Sequence, residues 1–278
     1  MADEIKDIDS SRFLQFRHSR FHYLTFGHGS KTLLAFHGFS ESAESYLALE
    51  PALGEEFTIY AIDFPYHGTT EWKENRFFER QDLVDFLKIF LRKHNITSFS
   101  FFGFSMGGRM ILSVLEEFAS QVEIIFLVAP DGIRTHQLFN LAVYPGWGRW
   151  LFRQVMRQPG LFFFFVKLMY KNKRISKFLY EFTLNHMNTV EKRVRIFNTW
   201  MSIKNFKVDE GRVRDIANQH SFPIHLIFGK YDEVIRPKVG EEFIKGFDNA
   251  TLTIVPKGHL LIKDSLNPYL VKLLFKAS

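Results

Sequence analysis

The residues best suited to chemistry lie in Gly103-Phe104-Ser105-Met106-Gly107, a G-x-S-x-G pattern. An apolar run, 98–102 (SFSFF), precedes it, and a run of helical character, 109–119 (RMILSVLEEFA), follows. A strand that turns sharply into a helix through small residues holds its central side chain on a strained, exposed corner. The backbone N–H of the next residue then points toward a developing oxyanion. The chemistry implied is nucleophilic attack by Ser105, with the N–H of Met106 as one oxyanion donor. An incidental serine in a glycine-rich turn is the competing explanation; a strand before and a helix after count against it.

A serine hydroxyl is a poor nucleophile without a base. Of the eleven histidines, only His259 lies beyond His225, in Pro256-Lys257-Gly258-His259. A lone loop histidine is usually just solvent-exposed, but this one follows the last apolar run, where a base on the strand-end rim must sit. The base needs an acid to fix its tautomer. Asp232, in Gly229-Lys230-Tyr231-Asp232-Glu233, is the favoured candidate; Asp131 and Glu233 are rivals. A second oxyanion donor is expected in the loop after 32–36, at the N–H of Phe39.

These residues need a scaffold that brings them together. Residues 21–26 alternate apolar and polar, as a half-buried strand does, whereas 32–36, 57–62 and 123–128 are continuous apolar runs suited to strands buried on both faces. Helical stretches are expected around 42–53 and 78–92. Strand and helix thus alternate, which implies an α/β fold with a mostly parallel sheet flanked by helices. Ligands on such sheets sit at the carboxyl ends of the strands. His37, Asp63, Ser105 and Asp131 all fall at or just past such ends. Residues 1–19 read as a polar lead-in. The alternation stops at Gly132 and resumes with strands expected at 223–228 and 251–255 and helices at 238–247 and 266–275. The expected division is a core of 1–131 and 208–278, with 132–207 inserted as a helical cap.

Composition narrows the classes. With 46% hydrophobic and 24% charged residues, the 278-residue chain is globular. It has no cysteine, so it has no disulfide, thiolate nucleophile or cysteine-held metal. No ligand-spaced His or Asp pair points to a metal, and no cofactor is called for. The first ten residues are acidic and polar, unlike a secretory signal, and no apolar run is long enough to span a bilayer. A cytoplasmic location is the expectation. Residues 131–212 hold 15 Lys and Arg against 5 Asp and Glu, while the rest holds 21 against 25. The basic excess therefore belongs to one segment. No nucleic-acid-binding motif accompanies it.

The chain resembles the α/β-hydrolase superfamily over essentially its whole length. The resemblance rests on His37-Gly38-Phe39, Asp63-x-Pro65-x-His67-Gly68, Gly103-Phe104-Ser105-Met106-Gly107-Gly108, Gly229-x-x-Asp232 and Gly258-His259, in that order. It implies Ser105 as nucleophile, Asp232 as acid, His259 as base and 132–207 as the cap. It also implies that His37 and His67 brace loops. The activity implied is carboxylic-ester hydrolysis on a small molecule with an apolar acyl part, without a cofactor. Two other readings remain open. One is a C–C bond hydrolase, or an enzyme similar to the pyruvate-eliminating synthase of the menaquinone pathway, using the same triad on an anionic substrate. Arg109 would then hold a substrate carboxylate, with Arg134 nearby. The other is a ligand-binding member without turnover. The aromatic cluster 161–166, with Trp147, Trp150 and Phe152, is expected to form the cap's own core or line an acyl site. Its interleaved cations also suit weak contact with an anionic membrane.

Overall fold

The computed structural model describes residues 11–135 and 137–277. Its strands are β1 (Ser11–Phe16), β2 (Ser19–Phe26), β3 (Lys31–Phe36), β4 (Phe57–Ile62), β5 (Phe99–Phe104), β6 (Val122–Val128), β7 (Ile224–Gly229) and β8 (Ala250–Val255). They form one sheet in the order β1-β2-β4-β3-β5-β6-β7-β8. β1 and β2 run antiparallel to their neighbours; from β4 to β8 every pairing is parallel. Strands β5 and β7 are buried at every position, and both are mainly apolar, with Ser100 and His225 as their polar residues.

The chain winds from β3 outward to β4 and then crosses back to β5 on the other side of β3. That reversal leaves a crevice beyond the carboxyl ends of β3 and β5, where ligands bind on open parallel sheets. Helices cover the faces: α1 (Glu50–Leu53), α2 (Arg80–Lys93), α3 (Met106–Phe118) and, later in the chain, α9 (Glu210–His220), α10 (Pro237–Phe243) and α11 (Asn267–Ala277). A 3-10 turn over Ala43–Leu49 leads into α1, so the helical stretch expected around 42–53 is split in two. The main core is rich in phenylalanine, with Phe21 stacked on Phe86 at 4.2 Å and Phe102 on Phe126 at 5.7 Å.

One expectation fails at the start of the described chain. Residues 11–16 are a strand rather than a polar lead-in. Only Leu14 and Phe16 of β1 are buried, so the strand shows water a polar edge. It pairs with β2 through a two-residue turn, Arg17-His18, with Arg17 at φ 52°. Such turns usually announce themselves with glycine or asparagine, and this one does not.

Between β6 and α9 lie α4 (Gln137–Val143), α5 (Gly146–Arg157), α6 (Gly160–Lys171), α7 (Lys177–Met187) and α8 (Val190–Ile203). They have a small core of their own around Phe152, Met187 and Ile196. Trp200 packs against both this core and the main one. The aromatics of α6 depart from expectation. Val166 is buried and Phe162 and Phe163 pack on the small core, but Leu161, Phe164 and Phe165 are exposed, as is Trp150 on α5. No helix among the described residues is long and apolar enough to cross a membrane.

Candidate active site

Ser105 follows β5 and precedes the first residue of α3, at φ 48° and ψ −111°. A non-glycine residue there is strained, and neighbouring contacts hold it in place. Its N–H donates to the carbonyl of Val128 at 2.9 Å, and its carbonyl accepts from the N–H groups of Gly108 at 3.0 Å and Asp131 at 2.9 Å. The flanking glycines are needed because backbones touch. A Cβ on Gly107 would lie 1.9 Å from the Phe36 carbonyl oxygen, and one on Gly103 would lie 2.8 Å from the Gly108 Cα. Thus the end of β3 is pressed against the start of α3.

Three loops converge here. His259 Nε2 lies 3.3 Å from Ser105 Oγ, and His259 Nδ1 lies 2.7 Å from Asp232 Oδ2. Asp232 Oδ1 accepts from the N–H groups of Val234 and Ile235, each at 2.8 Å. All three side chains are buried. The carboxylate thus has one oxygen fixed by backbone and the other free to orient the imidazole. The rivals to Asp232 are engaged elsewhere. Asp131 lies 3.3 Å from Arg109 Nε, and Glu233 accepts from the Ser176 hydroxyl at 2.5 Å.

The N–H of Met106 is in the first turn of α3, where no intrahelical acceptor exists. The N–H of Phe39 lies in the loop after β3, and among the described residues it has no backbone partner. Both belong to loops that meet at Ser105: a Cβ on Gly38 would stand 3.5 Å from the serine Cβ.

Arg109 does not face this space. It is buried, paired with Asp131, and its guanidinium lies 4.9 Å from the Phe139 ring centre. Among the described residues it lines no part of the cavity beside the Phe39 loop. Arg134 is exposed and pairs with Glu242.

His37 and His67 are fixed by backbone. The Phe64 N–H donates to His37 Nε2 at 3.1 Å, so Nδ1 carries the proton and donates to the Gly38 carbonyl at 2.7 Å. Burial lowers the pKa of His37. Burial, reinforced by His37, pushes His67 down to about 3. Both rings are neutral at pH 7 and hold loops. A second string, Ser11 Oγ to His22 Nε2 at 3.0 Å and His22 Nδ1 to Asp63 Oδ2 at 2.7 Å, resembles the first in residue types. Ser11 lies in a regular strand, however, not on an elbow before a helix. Asp63 also accepts from the Ala43 N–H at 2.6 Å and the Thr69 N–H at 3.1 Å, tying three loops together.

Two residues near the site give no sequence signal. His186, on α7, lies 5.9 Å ring to ring from Phe39 and joins it in lining the cavity described next. Glu41 follows the Phe39 loop, with Oε2 buried and unpaired. Burial raises its pKa to about 7, against the pull of the Gly38 N–H and of His259 and Lys263. The folded protein therefore holds a proton here between pH 4.5 and about 7 that the unfolded chain has lost. That contribution to stability is present below pH 4.5 and lost as pH rises through 7. Glu41→Gln is expected to match wild type near pH 4.5 and to be more stable at pH 8 by about 2–3 kcal/mol, read by urea denaturation at both pH values. A wild-type protein as stable as the variant at pH 8 would refute this.

Beside the Phe39 loop the helices α4 to α8 line a cavity of about 490 Å³. Its lining is almost wholly apolar and includes Phe39, Trp147, Phe152, Phe162, Met187 and Trp200, with Thr183 and His186 as the polar exceptions. The Thr183 hydroxyl is already spent on the Leu179 carbonyl at 2.8 Å.

Comparison with known proteins agrees with this architecture. The model of the alpha/beta hydrolase fold family matches residues 31–266. An uncharacterized hydrolase, YugF, of Bacillus subtilis (strain 168) is 20% identical over 236 residues, covering 84% of this chain and 85% of that protein. Among solved structures, a probable hydrolytic enzyme from Pseudomonas aeruginosa PAO1 superposes with a TM-score of 0.71 at 15% identity, covering 96% of this chain and 94% of the other. A thermophilic esterase from Thermogutta terrifontis gives 0.68 at 16% identity, covering 96% and 98%. With the sheet order, the strained serine elbow and a family match spanning most of its length, the chain belongs to the alpha/beta hydrolase fold family.

Proposed function

We propose that this protein is a serine hydrolase that cleaves carboxylic esters with an apolar acyl part. The observation that carries the reading is the hydrogen-bonded string Ser105–His259–Asp232 on a positive-φ elbow, beneath an apolar cavity that shares Phe39 with the oxyanion loop. Ser105 Oγ attacks the ester carbonyl while His259 Nε2 takes its proton. Asp232 keeps the Nδ1 proton in place and stabilises the imidazolium. The N–H groups of Met106 and Phe39 receive the oxyanion, each such donor being worth about 10²–10³ in rate. His259 then protonates the leaving alcohol and activates the water that releases the acid. The Ser–His distance of 3.3 Å is at the long end for such a bond, as is common before substrate binds. The helices over 132–207 act as a cap that shelters the acyl chain from water. Arg109, held by Asp131, lends no support to the anionic-substrate readings.

The test is fluorophosphonate labelling of wild type beside Ser105→Ala, with nitrophenyl esters of increasing acyl length. Only wild type should label, and Ser105→Ala should lose at least ~10⁴-fold in kcat while keeping its melting temperature. Folded wild type that neither labels nor turns over any ester would instead favour a ligand-binding role.

A further inference from the structure

Helix α6 is apolar on two faces: Phe162, Phe163 and Val166 turn inward, while Leu161, Phe164, Phe165 and Leu168, at the i, i+3, i+4, i+7 spacing of one face, make a second apolar stripe. Such a stripe normally faces a core. Here Leu161 is 69%, Phe164 61% and Phe165 52% exposed, and Leu168 is exposed with them. On the neighbouring α5, Trp150 is 64% exposed. Soluble surfaces rarely leave aromatic groups so concentrated in water unless something covers them.

The charge around this stripe says what would cover it. Residues 132–180 contain nine Lys and Arg and no Asp or Glu. Arg157, Lys167, Lys171, Lys173 and Arg174 are exposed, and none is ion-paired among the described residues. Exposed Trp, Phe and Leu interleaved with unpaired cations, on helices too short to span, is the chemistry of a surface that lies in the headgroup layer of an anionic membrane. A protein partner would be expected to meet such a face with its own apolar residues and carboxylates. A second copy would set the same cations against each other.

Leu141 on α4 and Trp147 and Leu151 on α5 line the cavity and are also exposed, so the cavity reaches the surface at α4 and α5, the helix that also carries Trp150. We propose that the outer face of α5 and α6 docks on an anionic lipid surface, with the mouth of the apolar cavity turned toward the bilayer. A chain leaving the bilayer would then enter the cavity without crossing water. The docking stands on its own; delivery of that chain to Ser105 rests on the ester-hydrolase reading.

The experiment is cosedimentation of the whole protein with vesicles of mixed phosphatidylglycerol and phosphatidylcholine, against phosphatidylcholine alone, at low and high salt. Tryptophan emission is followed alongside, since Trp147 and Trp150 lie at the face. Wild type should bind the anionic vesicles at least about tenfold more tightly, weaken with salt, and shift its emission to the blue. Two exposed-site variants, Phe164→Ser with Phe165→Ser and Lys167→Glu with Lys171→Glu, should each lose about tenfold or more in binding. Both should keep wild-type turnover of a soluble acetate ester. No binding to anionic vesicles at low salt, or undiminished binding by both variants, overturns the proposal. So does a wild-type dimer in light scattering that the Phe164→Ser, Phe165→Ser variant abolishes, because the face would then be covered by a second copy. Vesicle binding without ester turnover would leave the docking intact and remove only the ester reading.

Discussion

Asp232→Asn is expected to lower kcat for ester hydrolysis by about 10⁴-fold while leaving the fold intact. The reason lies in the two oxygens of the carboxylate. Oδ1 accepts two backbone N–H groups, from Val234 and Ile235, so only an oxygen fits that position. An asparagine must therefore place its NH₂ where Oδ2 now meets His259 Nδ1 at 2.7 Å. Two donors cannot face each other, so His259 would shift to the tautomer with its proton on Nε2. That nitrogen, 3.3 Å from Ser105 Oγ, could then no longer accept the serine proton. Steady-state rates at neutral pH, with thermal denaturation as the control for folding, check this. A loss of tenfold or less in a folded variant would mean that Asp232 does not set the tautomer.

Thr183→Phe should produce the largest change in selectivity. Thr183 lines the cavity, and its hydroxyl is committed to the backbone of its own helix, so replacing it leaves no buried donor stranded in the lining. The larger ring would take up part of a space of about 490 Å³. Each methylene excluded from a hydrophobic pocket costs about 1–3 kcal/mol of transition-state binding. Esters of long acyl chains should therefore lose about 10²-fold or more in kcat/KM, and acetate esters should be nearly unaffected. Ratios of kcat/KM along a nitrophenyl ester series read this directly. An equal fall for short and long chains would mean that the acyl group binds elsewhere.

Much of the scaffold was legible because a parallel sheet buries both faces of its strands. The runs at 32–36, 57–62 and 123–128 carry that requirement in their composition, and β3, β4 and β6 occupy those positions. The elbow was legible for a steric reason. Gly103, Gly107 and Gly108 stand where a Cβ would meet Ile111, Phe36 or Pro130, so the spacing records the close approach itself. The strand β1 was not legible, because a hairpin closed by Arg17-His18 and buried at only two positions leaves almost no pattern.

Local pattern was enough for the alternation of strands and helices from β2 onward, for the sharp turn at Ser105, and for a short set of loop residues near it. The tertiary structure alone decided which of them meet. Ser105 and His259 are 154 residues apart, and only the winding of β3 to β8 brings their loops together. Asp131 was separated from Asp232 by a contact that spacing cannot reveal, its pairing with the buried Arg109. Burial also decided Glu41, whose pKa depends on water being excluded by neighbours from other parts of the chain. Helix α6 gives the same lesson. The sequence showed an aromatic cluster at 161–166, expected in a core or along an acyl site, yet Leu161, Phe164 and Phe165 are exposed. Whether a helix face points to a core or to solvent depends on what packs beside it, and side-chain spacing within one helix holds no record of its neighbours.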